Sequence, residues 1–392
     1  MILNYVEQVA PSIICRANVE QPVLTGFAVL DAIVPIGRGQ RELIIGDRGT
    51  GKSYLARSIC LNQKRTNRYL SPETLGRDRL FCIYVCIGLR STEVRRLLFY
   101  IRKHGISWYT TIKAATAGHS ALKQYNVPFL GCAAAEEFRD LGYNALVIFD
   151  SLTNHAIAHR QKSLLLKITP GREAYPADTF YVHAKLLERA SQLTKRLGYG
   201  SLTALPIIET QANNLAAFIP TNVISITDGQ IFLSKDLSNR RVYPAVDIDK
   251  SVSRIGSKAQ PALIKEVSGL LKRMLQNYNQ YSETIRFGYN LSAYDKMLYN
   301  KSLCAYSLCQ QREPRFFEEN VILIIAADLG ILCPTKTQIT IKTLLVKLYL
   351  QPNRWILQLL LTHKYFNKSN NIKISQTKFL LSLLSTSLIN LK

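Results

Sequence analysis

Apolar and polar positions follow two rhythms along the first two thirds of the chain. Short β-prone runs predict strands over 43–45, 80–85, 145–149, 203–208 and 230–233. Between them lie stretches with helical spacing, as over 92–102 and 183–195. This alternation predicts an α/β domain with a mostly parallel sheet. The rhythm changes near Pro261. From there Leu263, Val267, Leu270, Leu271, Met274 and Tyr278 recur on one helical face, and a second apolar helix is expected over 321–329. The expected organisation is a lead-in over 1–22, an α/β domain over 23–260, a helical domain over 261–332 and a basic tail over 333–392. No internal repeat is evident.

Composition adds bounds. A chain of 392 residues has room for more than one domain, and 47% hydrophobic residues can fill a large core. The net charge of +23 fits nucleic-acid binding, or equally acidic partners or an anionic membrane surface. After Asp328 there is no Asp or Glu, so the tail inflates that total. Eight cysteines occur without a C-x-x-C pair, several of them in apolar runs, which fits buried free thiols in a reducing compartment. His155 and His159 lie four apart, but Ala156 breaks the H-E-x-x-H pattern, so they read as structural histidines. The start Met1-Ile2-Leu3-Asn4 has no secretory pattern. The late apolar runs, 321–327 and 355–361, fall short of the ~20 residues of a spanning helix. A soluble or membrane-peripheral protein is expected.

The chemistry concentrates in Gly46-Asp47-Arg48-Gly49-Thr50-Gly51-Lys52-Ser53, which satisfies G-x-x-x-x-G-K-[ST] between a β-prone run and a helical one. Gly46, Gly49 and Gly51 let backbone N–H groups converge on phosphate oxygens, and the new helix turns its positive end toward the same anion. Lys52 is expected to reach the outer phosphates of ATP or ADP, and the Ser53 hydroxyl to ligate Mg²⁺. Four apolar residues, Leu146 to Phe149, run into Asp150, which is placed to hold Mg²⁺ directly or through water, to cap a helix, or both.

Longer stretches are more specific. Pro35-Ile36-Gly37-Arg38-Gly39-Gln40-Arg41-Glu42-Leu43 leads into the phosphate loop, and Pro170-Gly171-Arg172-Glu173-Ala174-Tyr175-Pro176 follows later. Then come Gly200-Ser201-Leu202-Thr203-Ala204-Leu205-Pro206, the run from Ile219 to Gln230, and Ser251-Val252-Ser253-Arg254-Ile255-Gly256-Ser257. From about Gln21 to Gln260 the chain resembles the alpha subunits of the rotary, proton-translocating ATP synthase family. The likeness weakens through the helical part and fades after about Leu332.

The resemblance implies a RecA-like P-loop domain followed by a helical domain. It implies a hexamer alternating with beta subunits around a central gamma shaft, held by a peripheral stalk. It implies a nucleotide site that binds ATP without turning it over. The residues agree: hydrolysis needs an acid near the γ-phosphate, which the resemblance places directly after the strand ending at Gly88, and there the chain has Leu89, with Glu93 a helical turn further on. By residue type alone Arg254 reads as a structural arginine with an acidic neighbour. The resemblance makes it an arginine finger reaching a beta-subunit site in trans, with Ser251 in a supporting role. It also places Tyr243-Pro244 and Gln311 near the base, Tyr243 standing where an arginine is usual and able to stack on adenine. Gly49, Leu89 and Ser151 are further departures, which bear on affinity and γ-phosphate preference.

The family's N-terminal β-barrel is expected to be absent here, and either a separate chain supplies it or the assembly manages with less. No nucleic acid and no transmembrane helix are expected. The alternatives are a RecA-like ring motor on nucleic acid, which the charge favours, an export or vacuolar-type ATPase subunit, and a subunit retained only as scaffold. From divergence, tail composition and the lack of a targeting signal, an organelle-encoded protein is expected on the matrix side of the mitochondrial inner membrane, with the plastid thylakoid second.

Overall fold

The computed structural model describes residues 6–69, 78–287, 292–330 and 332. The expected basic tail, the run at 355–361 and Cys333 lie outside the described residues.

The described residues fall into two compact units: those up to Thr25 with Val34–Ala259, and Gly26–Ile33 with those from Gln260 to Leu332. The first carries β1 (Pro22–Val23) and β2 (Ile36–Gly37), which pair antiparallel, and a seven-stranded sheet among the described residues. The sheet's strands are β3 (Leu43–Asp47), β4 (Leu80–Leu89), β5 (Thr110–Thr116), β6 (Asn144–Asp150), β7 (Ser201–Thr210), β8 (Gly229–Leu233) and β9 (Val252–Ser253). Their order is β5-β4-β6-β7-β3-β8-β9, all parallel except β9, which runs against β8.

The central strands are near-continuous apolar runs because helices cover both faces of a parallel sheet. β6 is buried at every position, and Ile44 of β3 sits between Ile207 and Ile231. Leu43, Ile45, Val85, Val147 and Phe149 pack with Phe129 and Cys132. Those last two come from α4 (Ala121–Asp140); α2 (Lys52–Tyr69), α3 (Ser91–His104), α5 (Leu152–Leu165), α6 (Thr179–Leu187) and α7 (Phe218–Ile226) complete the long helices of this unit. Short turns form α8 (Lys235–Asn239) and α9 (Gly256–Ala259).

All five expected strands are present. β5 was not expected; it is an edge strand whose Thr111, Lys113 and Ala114 face solvent, so its apolar alternation is weak. The helix expected over 183–195 ends at Leu187. Beyond it Arg189 turns inward, fully buried, and donates to both carboxylate oxygens of Glu136, while Gln192 bridges antiparallel to Ser201. Two tertiary pairings outweigh the local helical pattern.

The second unit joins α1 (Ala28–Ile33) to α10 (Ala262–Arg286), α11 (Ala293–Cys309) and α12 (Phe317–Asp328). Residues 26–33, expected within the α/β domain, thus pack in the helical unit: Asn320 Nδ2 donates to Gly26 O, and Gln260 Nε2 to Asp31 O and Ala32 O. The seven described cysteines are free and six are buried, as thiols in apolar runs should be. No helix among the described residues is long and apolar enough to cross a membrane.

Candidate functional site

The carboxyl ends of β3, β6, β7 and β4 converge, as expected for a ligand site on an open parallel sheet. After β3 the loop turns through Gly49 at φ +85° and Gly51 at φ +95°, with open space where a Cβ would stand at either. Both values favour glycine, and the bare backbone leaves room for an anion. Thr50 is tied back, its amide and hydroxyl both donating to Asp47 O, at 3.3 and 2.8 Å. Asp47 is held from the far side, where Oδ1 accepts from Thr210 Oγ1 at 2.7 Å and Asn213 N at 2.9 Å.

Lys52 opens α2 and is buried, its Nζ donating to the carbonyls of Gly46 at 2.9 Å and Asp47 at 2.7 Å. Burial pushes its pKa down, against the pull of Glu209, Asp150 and Asp47. Ser53, the next residue, hydrogen-bonds Asp150 at the end of β6. Asp150 Oδ2 also accepts from Tyr84 Oη at 2.7 Å. Burial raises the Asp150 carboxyl, with the Tyr84 and Ser53 hydrogen bonds and Arg57 opposing. The two expected Mg²⁺-side groups therefore meet, and Ser151 caps α5 by accepting from Asn154 N.

A converging set of backbone amides, a buried cation and a hydroxyl–carboxylate pair fits Mg²⁺-nucleotide. Among the described residues no three His, Cys, Asp or Glu side chains are arranged to hold a metal alone. A bound Mg²⁺ would therefore take phosphate oxygens as well as Ser53 and Asp150. Arg48 is exposed beside the loop.

Glu209 was not anticipated. It stands on β7 beside Gly46 of β3, 4.0 Å from Lys52 Nζ and about half exposed. Its signal was available, because an apolar run over 203–208 leads into it as 145–149 leads into Asp150. Leu89 ends β4 after Gly88, and Glu93 lies exposed in the first turn of α3.

The remaining residues sit elsewhere. Tyr243 and Pro244 are half-buried in the loop between α8 and β9. Gln311 belongs to the helical unit, where Oε1 accepts from Ala28 N at 2.6 Å and Nε2 donates to Gly26 O and Asn320 Oδ1. Ser251 is buried; its hydroxyl donates to Asp247 O and accepts from Phe232 N at 2.9 Å, tying its loop to β8. Arg254 three residues on is exposed, anchored only through its backbone N to Asp228 O at 3.0 Å among the hydrogen bonds described. His155 and His159 are buried on α5, with His183 Nε2 3.2 Å from His155 Nδ1 and His159 Nε2 2.9 Å from Asp178. They are packed side chains, as expected.

Residues 26–253 match the ATP synthase alpha/beta family, nucleotide-binding domain. The chain is 46% identical over 327 residues to the protein named ATP synthase subunit alpha of Neorickettsia sennetsu, and equally to that of Anaplasma phagocytophilum. The same figure holds over 329 residues of the Orientia tsutsugamushi protein of that name. These alignments take in 83% of this chain and 64% of each relative, so the chain spans just under two thirds of their length. The relatives are bacterial. That overturns the expected mitochondrial inner-membrane location and its plastid runner-up: tail composition and divergence spoke of amino-acid usage, not of a compartment.

Proposed function

The chain belongs to the ATP synthase alpha/beta family, and we propose that it is the noncatalytic, ATP-binding alpha subunit of the synthase's catalytic head. In this reading it alternates with beta subunits around the gamma shaft, in a complex that couples ATP synthesis or hydrolysis to proton transport. Its own pocket holds Mg²⁺-ATP or Mg²⁺-ADP through the amides of residues 46–53, Lys52, Ser53 and Asp150. The metal, when bound, neutralises phosphate charge and fixes the nucleotide's geometry. In this reading no turnover follows there: Leu89, standing where the resemblance puts the acid of catalytic subunits, can neither accept a proton nor orient water, and Glu209 is assigned to Lys52, 4.0 Å away, rather than to water. Tyr243 and Pro244 are assigned to the base. Gln311 is given no part in it, since its amide is already engaged by Ala28, Gly26 and Asn320.

The observation that carries this reading is Arg254, an exposed guanidinium on a loop locked by a buried serine. A planar, permanently charged fork offered outward suits a phosphate in a neighbour's pocket. The test is turnover by the purified complex with Arg254→Ala. A fall in kcat with nucleotide retention on this chain intact supports the proposal, and wild-type turnover refutes it. Salt-sensitive RNA binding with RNA-stimulated turnover would instead revive the nucleic-acid motor.

A further inference from the structure

The loop bearing Arg254 is fastened from below by a buried polar network at the entrance to β3. Gln40 and Glu42 are both fully buried. Gln40 Oε1 accepts from Gly37 N at 2.8 Å, while Nε2 donates to Glu42 Oε2 at 2.7 Å and to Ser253 Oγ at 3.1 Å. Ser253 Oγ donates to Pro35 O at 2.6 Å and also accepts from Gly256 N at 3.2 Å. The Ser253 hydroxyl thus uses all three of its hydrogen-bonding positions, and the Gln40 amide both of its donors and one acceptor position. Between them Arg41 pairs with Asp228 through Nε, Nη2 and its backbone N, at 2.8–3.0 Å, and Asp228 O receives Arg254 N.

The packing is equally tight. A Cβ on Gly229, opposite Ser253 in the β8–β9 pair, would lie 2.7–2.8 Å from the Glu42 carboxyl oxygens and 2.3 Å from Val252 O. Arg254 therefore departs from a backbone held on three sides.

We propose that Gln40 and Glu42 are positioning residues for the arginine in trans: through Ser253 they fix where the Arg254 guanidinium stands at the neighbour's site. This rests on the reading of Arg254 given above. Burial, with the nearby Asp228 carboxylate, pushes the Glu42 carboxyl well above its usual range, against the hydrogen bond from Gln40 and the pull of Arg254. The stretch 40–53 then serves two pockets, its first residues aligning an arginine for a neighbour and its last cradling phosphate in this chain.

The test is a double-mutant cycle on the purified complex. Gln40→Met removes the bridging amide at nearly constant volume, and Ser253→Ala removes only the hydroxyl, giving the same cycle if the first variant fails to assemble. Each should lower kcat about tenfold to a hundredfold, the scale of a displaced catalytic group, with KM unchanged. Added to Arg254→Ala, either should cost less than about a further twofold, because both act through that side chain. Full additivity, or an unchanged kcat in both single variants, overturns the positioning role while leaving Arg254 itself intact. An unchanged kcat in Arg254→Ala overturns the parent reading instead.

Discussion

The phosphate loop and the Arg254 segment flank the same strands, yet they are built to opposite plans. In residues 46–53 the backbone is the instrument. Glycines at positive φ turn amides inward, and the charged side chain is buried against its own loop. In residues 251–254 the backbone is only a mount. Ser251 and Ser253 fasten it to Asp247, Phe232, Pro35 and Gln40, and the charged side chain faces out. An inward cation completes a pocket, whereas an outward cation on a rigid mount is free to meet another surface, as proposed for Arg254.

The contrast breaks most sharply at its two arginine and lysine ends. Arg254→Ala should lower turnover of the complex by about 10³-fold or more, the range of arginine fingers, while nucleotide retained on this chain stays near wild type. Steady-state kinetics beside a bound-nucleotide assay checks both halves.

Acidification separates either region from the domain that carries them. Burial drives the His155 pKa well below its usual value and that of His183 down to about 4, with neighbouring histidines adding to the effect. An unfolded histidine titrates near 6.5, so between about pH 6.5 and 4 the unfolded chain binds protons that the native state refuses. Stability should hold above about pH 6.5 and fall by about 3 kcal/mol for His183 alone toward pH 4. Urea unfolding across that range reads it directly, and His183→Gln should flatten the slope.

Lys52→Ala should weaken nucleotide retention by about tenfold to a hundredfold, the loss of a charge-assisted bond of about 1.5–3 kcal/mol. Because Lys52 serves this chain's own pocket, kcat should fall far less than in Arg254→Ala; an equal fall would erase the distinction. The smallest effect is expected at Ser251→Ala. Losing its hydroxyl strands the buried Phe232 N and should cost about 1–2 kcal/mol of stability, measured by denaturant unfolding.

The two regions also differ in how far the sequence discloses them. The phosphate loop is local: eight consecutive residues, a strand before and a helix after, and Asp150 at the end of an apolar run. Glu209 has the same signature, but its place beside Lys52 follows from the β3–β7 register, which sequence does not state. The mount of Arg254 is non-local. Pro35, Gln40 and Ser253 meet across more than two hundred residues, and nothing in Gln40-Arg41-Glu42 marks two of the three as buried. Local pattern misled once, at 183–195, where Arg189 pairing with Glu136 ends the helix early. β5 carries no clear alternation because Thr111, Lys113 and Ala114 all face solvent.

The central claim is that this pocket keeps its nucleotide while the arginine serves another. It is tested most directly by loading the purified complex with γ-labelled ATP and chasing through many turnovers. Label whose retention depends on Lys52 should remain triphosphate throughout. Its release as phosphate at the turnover rate, unchanged by Arg254→Ala, would contradict the account.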